Sequence, residues 1–295
     1  MRNRSNQITI TGHPGGGKTT AAKLLAKELG WEYFYTGAVQ RQLAAEMGIS
    51  TLEFNKRSET DLSLNKKIDE VYVELNQSQK PMVVDARLAW HFMPNSFKVR
   101  FEVPVAVGAQ RVFEFARRED EQYRDLASAE QALAERRASE RTHYRNSYGI
   151  DVEDHAHFDL ILDTAYSLPE RNVSFVRAAF SLWYKGIRLP KHWLSPKSML
   201  PTRELTEADR TAVEDIAGLI IENGYDTLSP IMVVGDGEKV YVVDGHRRVA
   251  AALKAQCDFL PVLFVEDGAE LIGGKKAADF LGGRKLPEAL ASWKK

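Results

Sequence analysis

The chain opens on a short run, Gln7-Ile8-Thr9-Ile10-Thr11, closed by Gly12, whose apolar positions predict a buried strand. From 18 to 29, Ala21, Leu24, Leu25 and Leu29 share one helical face, and Gly30 supplies a stop. Residues 32–35 predict a short strand and 39–47 a helix. Leu64, Ile68, Val71 and Leu75 fall at helical spacing and predict a helix over 64–75. Met82-Val83-Val84-Asp85 predicts a buried strand and 97–103 another. Helices are predicted over 105–118 and 128–148, the second rich in charge. Leu160-Ile161-Leu162-Asp163 predicts a further strand, and 169–184 a helix with Pro169 near its start, a favoured place for proline. Strands alternating with helices imply a parallel sheet covered on both faces.

The texture changes near Gly186. Pro190, Pro196 and Pro201 punctuate a stretch that reads as a linker and domain start, so domains are expected at 1–186 and 187–295. Beyond it, Val213, Ile216, Ile220 and Ile221 predict a helix over 209–223. Residues 231–234 and 240–243 flank Gly235-Asp236-Gly237-Glu238-Lys239, which reads as a hairpin with a five-residue loop. A helix over 247–255 and a strand over 261–265 follow. The Gly- and Lys-rich end is expected to be a weakly held tail, with Trp293 a candidate to dock.

Composition narrows the class. The 295 residues are 44% hydrophobic and 27% charged, ordinary for a globular protein. A net charge of −1 does not indicate a globally basic nucleic-acid binder, though a local basic patch stays open. The single Cys257 excludes an intrachain disulfide and suits a reducing compartment. No apolar stretch has the length of a signal peptide or a membrane span. A cytoplasmic location and no membrane partner are therefore expected, the host cytoplasm if the chain is phage-encoded.

The chemistry begins at Gly12-His13-Pro14-Gly15-Gly16-Gly17-Lys18-Thr19, which fits G-x-x-x-x-G-K-[ST], with Thr20 continuing into the helix. A strand, a glycine-rich turn and a helix N-terminus make an anion site. Backbone N–H groups converge there and the helix dipole favours negative charge. Lys18 is placed to reach the β- and γ-phosphates of ATP, and Thr19 to ligate Mg²⁺.

Further motifs follow in order: Tyr35-Thr36-Gly37 with Arg41 one turn later, Asp85-Ala86-Arg87, the run Arg136, Arg137, Arg141 and Arg145 before Tyr148-Gly149-Ile150-Asp151, and Phe158-Asp159-Leu160-Ile161-Leu162-Asp163. This set resembles the cytidylate-kinase-like branch of the P-loop nucleoside monophosphate kinases over about residues 7–185. The resemblance implies an α/β P-loop kinase with a helix-covered parallel sheet, and Mg·ATP-dependent phosphoryl transfer to a pyrimidine nucleotide. It implies that Arg41 and Arg87 grip the acceptor phosphate. Asp85, at the end of a strand beside the loop, is placed to join Thr19 at Mg²⁺ through water. The resemblance places Arg137 and Arg141 in a lid over the transferring group. Guanidinium groups suit that work through bidentate bonds. Ala38, Ala86 and His143 stand where such kinases tend to carry Asp, Gly and Arg. These departures fall on the acceptor pocket and the lid, and leave the donor loop intact.

Asp244-Gly245-His246-Arg247-Arg248 also sits between a predicted strand and helix. With Pro201-Thr202-Arg203 upstream, it resembles the ParB and sulfiredoxin-like superfamily over about residues 190–267. That resemblance implies a smaller α+β domain in which Gly245, His246, Arg247 and Arg248 contact phosphate, with DNA as a further partner. Three alternatives remain open. One is a kinase of a modified pyrimidine such as 5-hydroxymethyluracil within DNA. Another is a non-enzymatic nucleotide-dependent DNA-partition module. The third places a free-serine kinase in the second domain. The turn has no Cys for sulfiredoxin chemistry, and His155 and His157 lack further ligands at metal spacing.

Overall fold

A computed structural model describes residues 4–50, 53, 54, 57, 62–115, 123–266, 269 and 276–280. The expected tail and Trp293 lie outside the described residues. The chain forms two compact units, residues 1–161 with 169–187, and residues 162–168 with 188–295.

In the first unit β1 (Gln7–Gly12), α1 (Lys18–Leu29), β2 (Glu32–Tyr35), α2 (Thr36–Glu46), α3 (Leu62–Ser78) and β3 (Met82–Asp85) follow one another. Then come the single turn α4 (Ala89–Phe92), β4 (Phe97–Glu102), α5 (Val105–Phe115), α6 (Leu126–Tyr148), β5 (Leu160–Asp163), whose last two residues belong to the second unit, and α7 (Pro169–Tyr184). The sheet order is β2-β3-β1-β4-β5. β1 pairs in parallel with β3 and β4, and β2 with β3. Every residue of β1 and β3 is buried, as in a parallel sheet covered on both faces, and in β1 this includes the polar Gln7, Thr9 and Thr11. Because β1 lies between β3 and β4, the loops leaving β1 and β3 open side by side at one sheet edge, where ligands bind in such folds. α3 and α4 share one core with β3, in which Leu64, Ile68, Tyr72 and Ala89 cluster with Met82 and Val84.

The charged helix α6 starts on a capping box: Asp125 accepts from the Ser128 N–H at 2.8 Å, and Ser128 Oγ accepts from the Asp125 N–H at 3.1 Å. Its far end is pinned to α3, where the Tyr148 hydroxyl donates to Asp69 at 2.9 Å.

The second unit holds β6 (His192–Leu194), β7 (Met199–Leu200), α8 (Glu207–Asn223), β8 (Ile231–Asp236), β9 (Lys239–Asp244), α9 (His246–Lys254) and β10 (Leu260–Phe264), with strand order β6-β10-β8-β9-β7. Ile231, Val233, Val242, Val249, Ala251 and Leu260 form its core, and Cys257 packs against them. Two expectations change here. The hairpin loop is two residues, because Gly235 and Asp236 continue the ladder against Val240 and Lys239. The proline-punctuated stretch is not a bare linker, because β6 and β7 both lie within it.

Candidate active site

The loop after β1 turns where only glycine fits. Gly12 has φ 133°, and a Cβ there would come 1.9 Å from the carbonyl oxygen of Phe101. The His13 N–H donates to that same carbonyl at 3.2 Å, and the Gly16 N–H donates back to the His13 carbonyl at 3.2 Å. α1 then starts on Gly17 in the left-handed region with no side chain capping it. Its first N–H groups are therefore left for an anion. Pro14 and Gly16 are buried, Gly15 half-buried, and Thr20 exposed on the first turn of α1.

Lys18 turns back on this loop and donates to the His13 carbonyl at 2.7 Å. Burial, and then the Arg87 guanidinium, hold its ammonium well below the usual lysine range, with Arg136 adding to the effect and Asp85 and Glu140 opposing it. Thr19 Oγ1 donates to Asp85 Oδ2 at 2.6 Å, and the Tyr33 hydroxyl lies 3.5 Å from the same oxygen. Asp85 is 4% exposed. A hydroxyl and one carboxylate are hard oxygen donors of the kind Mg²⁺ takes when phosphate oxygens and water complete its shell. No cluster of three or more His, Cys, Asp or Glu occurs among the described residues, so a site of protein ligands alone is absent there. The pair fits a metal that arrives with a nucleotide.

Arg87 bridges two elements. One guanidinium nitrogen donates to the Gly12 carbonyl and another meets Glu140 of α6 at 3.2 Å. Arg41 is exposed on α2 and stands 5.6 Å from the centre of the Tyr35 ring. The arginines of α6 divide. Arg136 meets Glu140 at 3.1 Å, and Arg137 donates to the Val103 carbonyl at 2.7 Å. Arg141 and Arg145 turn away to Asp151, Arg141 through two bonds of 2.9 and 2.7 Å and Arg145 through one of 2.7 Å. Arg141 is thus held on a carboxylate after the helix, while Arg136 and Arg137 lie on the side that faces the donor loop.

Behind the loop, His13 Nε2 lies 2.9 Å from Arg100 and 3.3 Å from Glu153. Arg100 is 3% exposed, while its partner Glu153 is still part-exposed at 32%. Accepting from Arg100 requires an unprotonated Nε2, and burial lowers the His13 pKa in the same sense. His155 bonds Glu102 at 2.8 Å and His157 stacks on Trp90 at 4.7 Å, so these two histidines have structural neighbours of their own.

In the second unit a cavity of about 520 Å³ opens at the start of α9, lined by Thr202, Arg203, Ile216, Gly245, Arg247 and Phe280 among others. Gly245 caps α9 in the left-handed region with no side-chain cap. Arg203 and Arg247 both face Asp209, at 2.7 and 3.6 Å. His246 is buried, its Nε2 2.9 Å from Thr202 Oγ1, and burial followed by Arg203 brings its pKa down to about 4. Arg248 is tied to the Ser229 carbonyl at 2.7 Å and to Asp244 at 3.0 Å. All four residues expected on phosphate line the cavity, and of these His246 and Arg248 are also bonded into the fold, to Thr202 and to Ser229 and Asp244.

The cytidylate kinase-like family matches residues 7–166, more than half of the chain. The chain belongs to that family. A protein named cytidylate kinase from Pyrococcus abyssi is 35% identical over 184 residues, 61% of this chain and 96% of the relative. One of the same name from Natronomonas pharaonis is 35% identical over 178 residues, 60% of this chain and 90% of the relative. Among solved structures, shikimate kinase from Acinetobacter baumannii in complex with shikimate aligns with a TM-score of 0.42 and 18% identity, over 63% of this chain and 96% of that one.

This cytidylate kinase-like protein is a P-loop phosphotransferase. No helix among its described residues is long and apolar enough to cross a membrane. Sequence reasoning missed Glu140, Arg100 and Glu153 as parts of the site. Glu140 follows Arg136 by one helical turn, an i,i+4 spacing that would have flagged an ion pair but not its reach to Arg87.

The depressed Lys18 ammonium gives a proton linkage. A bound polyphosphate brings negative charge and raises the Lys18 pKa above its value in the free kinase. Binding therefore takes up a proton wherever Lys18 is part-deprotonated, and affinity falls as pH rises through the free value. Calorimetry of ADP binding at alkaline pH, in buffers of different ionisation enthalpy, should report that uptake, and Lys18→Met should abolish it. Heats independent of buffer in the wild type would contradict the linkage.

Proposed function

We propose that this kinase transfers the γ-phosphate of ATP to a pyrimidine nucleoside monophosphate. The observation that carries the reading is the convergence at one sheet edge of the Lys18 loop, the Thr19–Asp85 pair and the Arg87 bridge, with Arg41 of α2 beside Tyr35 at the end of the neighbouring strand. The name shared by the relatives, cytidylate kinase, supports the choice of acceptor class.

In this reading the loop amides and Lys18 hold the β- and γ-phosphates. An acceptor phosphate oxygen attacks the γ-phosphorus, the bond from that phosphorus to the β–γ bridging oxygen breaks, and ADP leaves with the electron pair. Thr19 and Asp85 would hold Mg²⁺, which when bound neutralises charge on the phosphate oxygens. Arg41 grips the acceptor phosphate. Arg87, at the loop and on Glu140, joins the donor side to the lid helix. Arg137 and, once released from Asp151, Arg141 close over the transferring group and exclude water. The protein's part is positioning and charge compensation, and it supplies no covalent intermediate.

For the second unit we retain the ParB/sulfiredoxin-like reading, in which the α9 start binds a phosphate-bearing ligand with Arg203 and Arg247. The cavity and the uncapped helix start support it. Full-length protein should then bind more than one nucleoside triphosphate per chain by calorimetry. Arg203→Ala with Arg247→Ala should remove the additional binding and leave the Lys18 site's affinity intact. A single site in the wild type, unchanged by the double variant, would contradict this.

Transfer of labelled γ-phosphate to CMP, dCMP, UMP, serine and hydroxymethyluracil-containing DNA tests the acceptor. We expect CMP or dCMP to be the best acceptor. Lys18→Ala should lower transfer by roughly 100-fold or more in a folded protein. Arg41→Ala should raise the acceptor KM about tenfold or more, with the ATP KM little changed. Transfer to the DNA alone would replace the free-nucleotide reading with the base-modifying one, and near-wild-type turnover of folded Lys18→Ala would remove the phosphoryl-transfer site proposed here.

A further inference from the structure

β2 ends on Tyr35, in register with Asp85 of β3. Paired residues of neighbouring strands project from the same face, so Tyr35 leaves the sheet on the side where Asp85 meets Thr19. α2 begins at the next residue, and the Tyr35 ring folds back over its first turn. A Cβ on Gly37 would lie 2.4 Å from the ring's Cζ and 2.5 Å from its hydroxyl oxygen. The ring therefore occupies the space that the missing side chain leaves open. The Arg41 guanidinium stands 5.6 Å from the ring centre. Arg41 is exposed, and no hydrogen bond or ion pair holds it among the described residues. Most of the other arginines around this site differ: Arg87, Arg100, Arg136, Arg141 and Arg145 all meet carboxylates.

An exposed guanidinium on a flexible stem samples many rotamers. A carboxylate could hold it, but would neutralise the charge that an anionic acceptor needs. An aromatic face holds it and leaves its charge and its hydrogen-bond donors available. We propose that Tyr35 is a positioning residue for the acceptor site: its ring keeps Arg41 in place and uncompensated, and Gly37 keeps the space for that ring. This rests on the reading of Arg41 as the acceptor-phosphate ligand. The ring acts by reducing the order that acceptor binding must impose on Arg41.

Steady-state kinetics with CMP and ATP test the proposal. Tyr35→Leu should raise the CMP KM about two- to fivefold, the usual strength of an exposed cation–π contact, with kcat and the ATP KM unchanged. Tyr35→Phe keeps the ring and should restore the wild-type KM. Gly37→Ala must displace the ring and should raise the CMP KM in the same way, although Tyr35 and Arg41 are both present. In an Arg41→Ala background, Tyr35→Leu should have no further effect. A wild-type CMP KM in folded Tyr35→Leu, beside a raised KM in Arg41→Ala, would overturn the role of Tyr35 alone. Effects that multiply in the double variant would also overturn it, since the ring would then touch the acceptor directly. An unchanged CMP KM in Arg41→Ala would overturn the acceptor reading itself, and the inference with it.

Discussion

The hydrogen bond from Thr19 to Asp85, 2.6 Å long, ties the start of α1 to the end of β3, the two elements between which the proposed site lies. Thr19 belongs to the first turn of α1 and Asp85 is the last residue of β3, so the bond can form only if β1 and β3 are neighbours in register. That register in turn rests on strands buried along their whole length, where a slip of one residue would turn every side chain to the wrong face. The position of the carboxylate is thus a consequence of core packing. The same sheet edge sets where Arg87 leaves β3, and so where it meets Gly12 and Glu140.

Charge at this edge is only partly balanced. Burial, then Arg87 and Arg136, depress the Lys18 ammonium, and Asp85 and Glu140 offset them in part. A site built for a polyphosphate should look like this, since the balancing anion is the ligand. Asp151 plays a different part. It draws Arg141 and Arg145 away from the loop through charge-assisted bonds that a nucleotide would have to outcompete. Movement of those two arginines would then be part of lid closure.

Local rules made much of this legible in the sequence. The spacing of Gly12, Lys18 and Thr19 is a property of one turn, and the apolar run Met82–Asp85 a property of one strand, so both could be read without the rest of the chain. Boundaries moved where polar residues extend a regular element. The hairpin ladder runs on through Gly235, Asp236 and Lys239 because backbone bonds do not need an apolar pattern. β6 and β7, of three and two residues, are too short to carry a period, and the prolines around them read as interruption. The partners of Arg100, His13 and Glu153 were not legible either. They lie up to 140 residues apart, and only the fold brings them together. Within the second unit, the Asp244–Arg248 turn was placed correctly between strand and helix. That His246 and Arg248 are also bonded into the fold depended on Thr202 and Ser229, which no local pattern links to the turn.

In the proposed function Asp85 and Thr19 hold the metal that comes with the nucleotide. Calorimetry of ATP binding with and without Mg²⁺, on the wild type and on Asp85→Asn, tests this most directly. The wild type should bind ATP more tightly with Mg²⁺. Asp85→Asn should keep Mg²⁺-free binding near the wild-type level, because the loop amides and Lys18 remain, and should lose most of the gain from Mg²⁺. The same Mg²⁺ gain in folded Asp85→Asn as in the wild type would contradict the assignment.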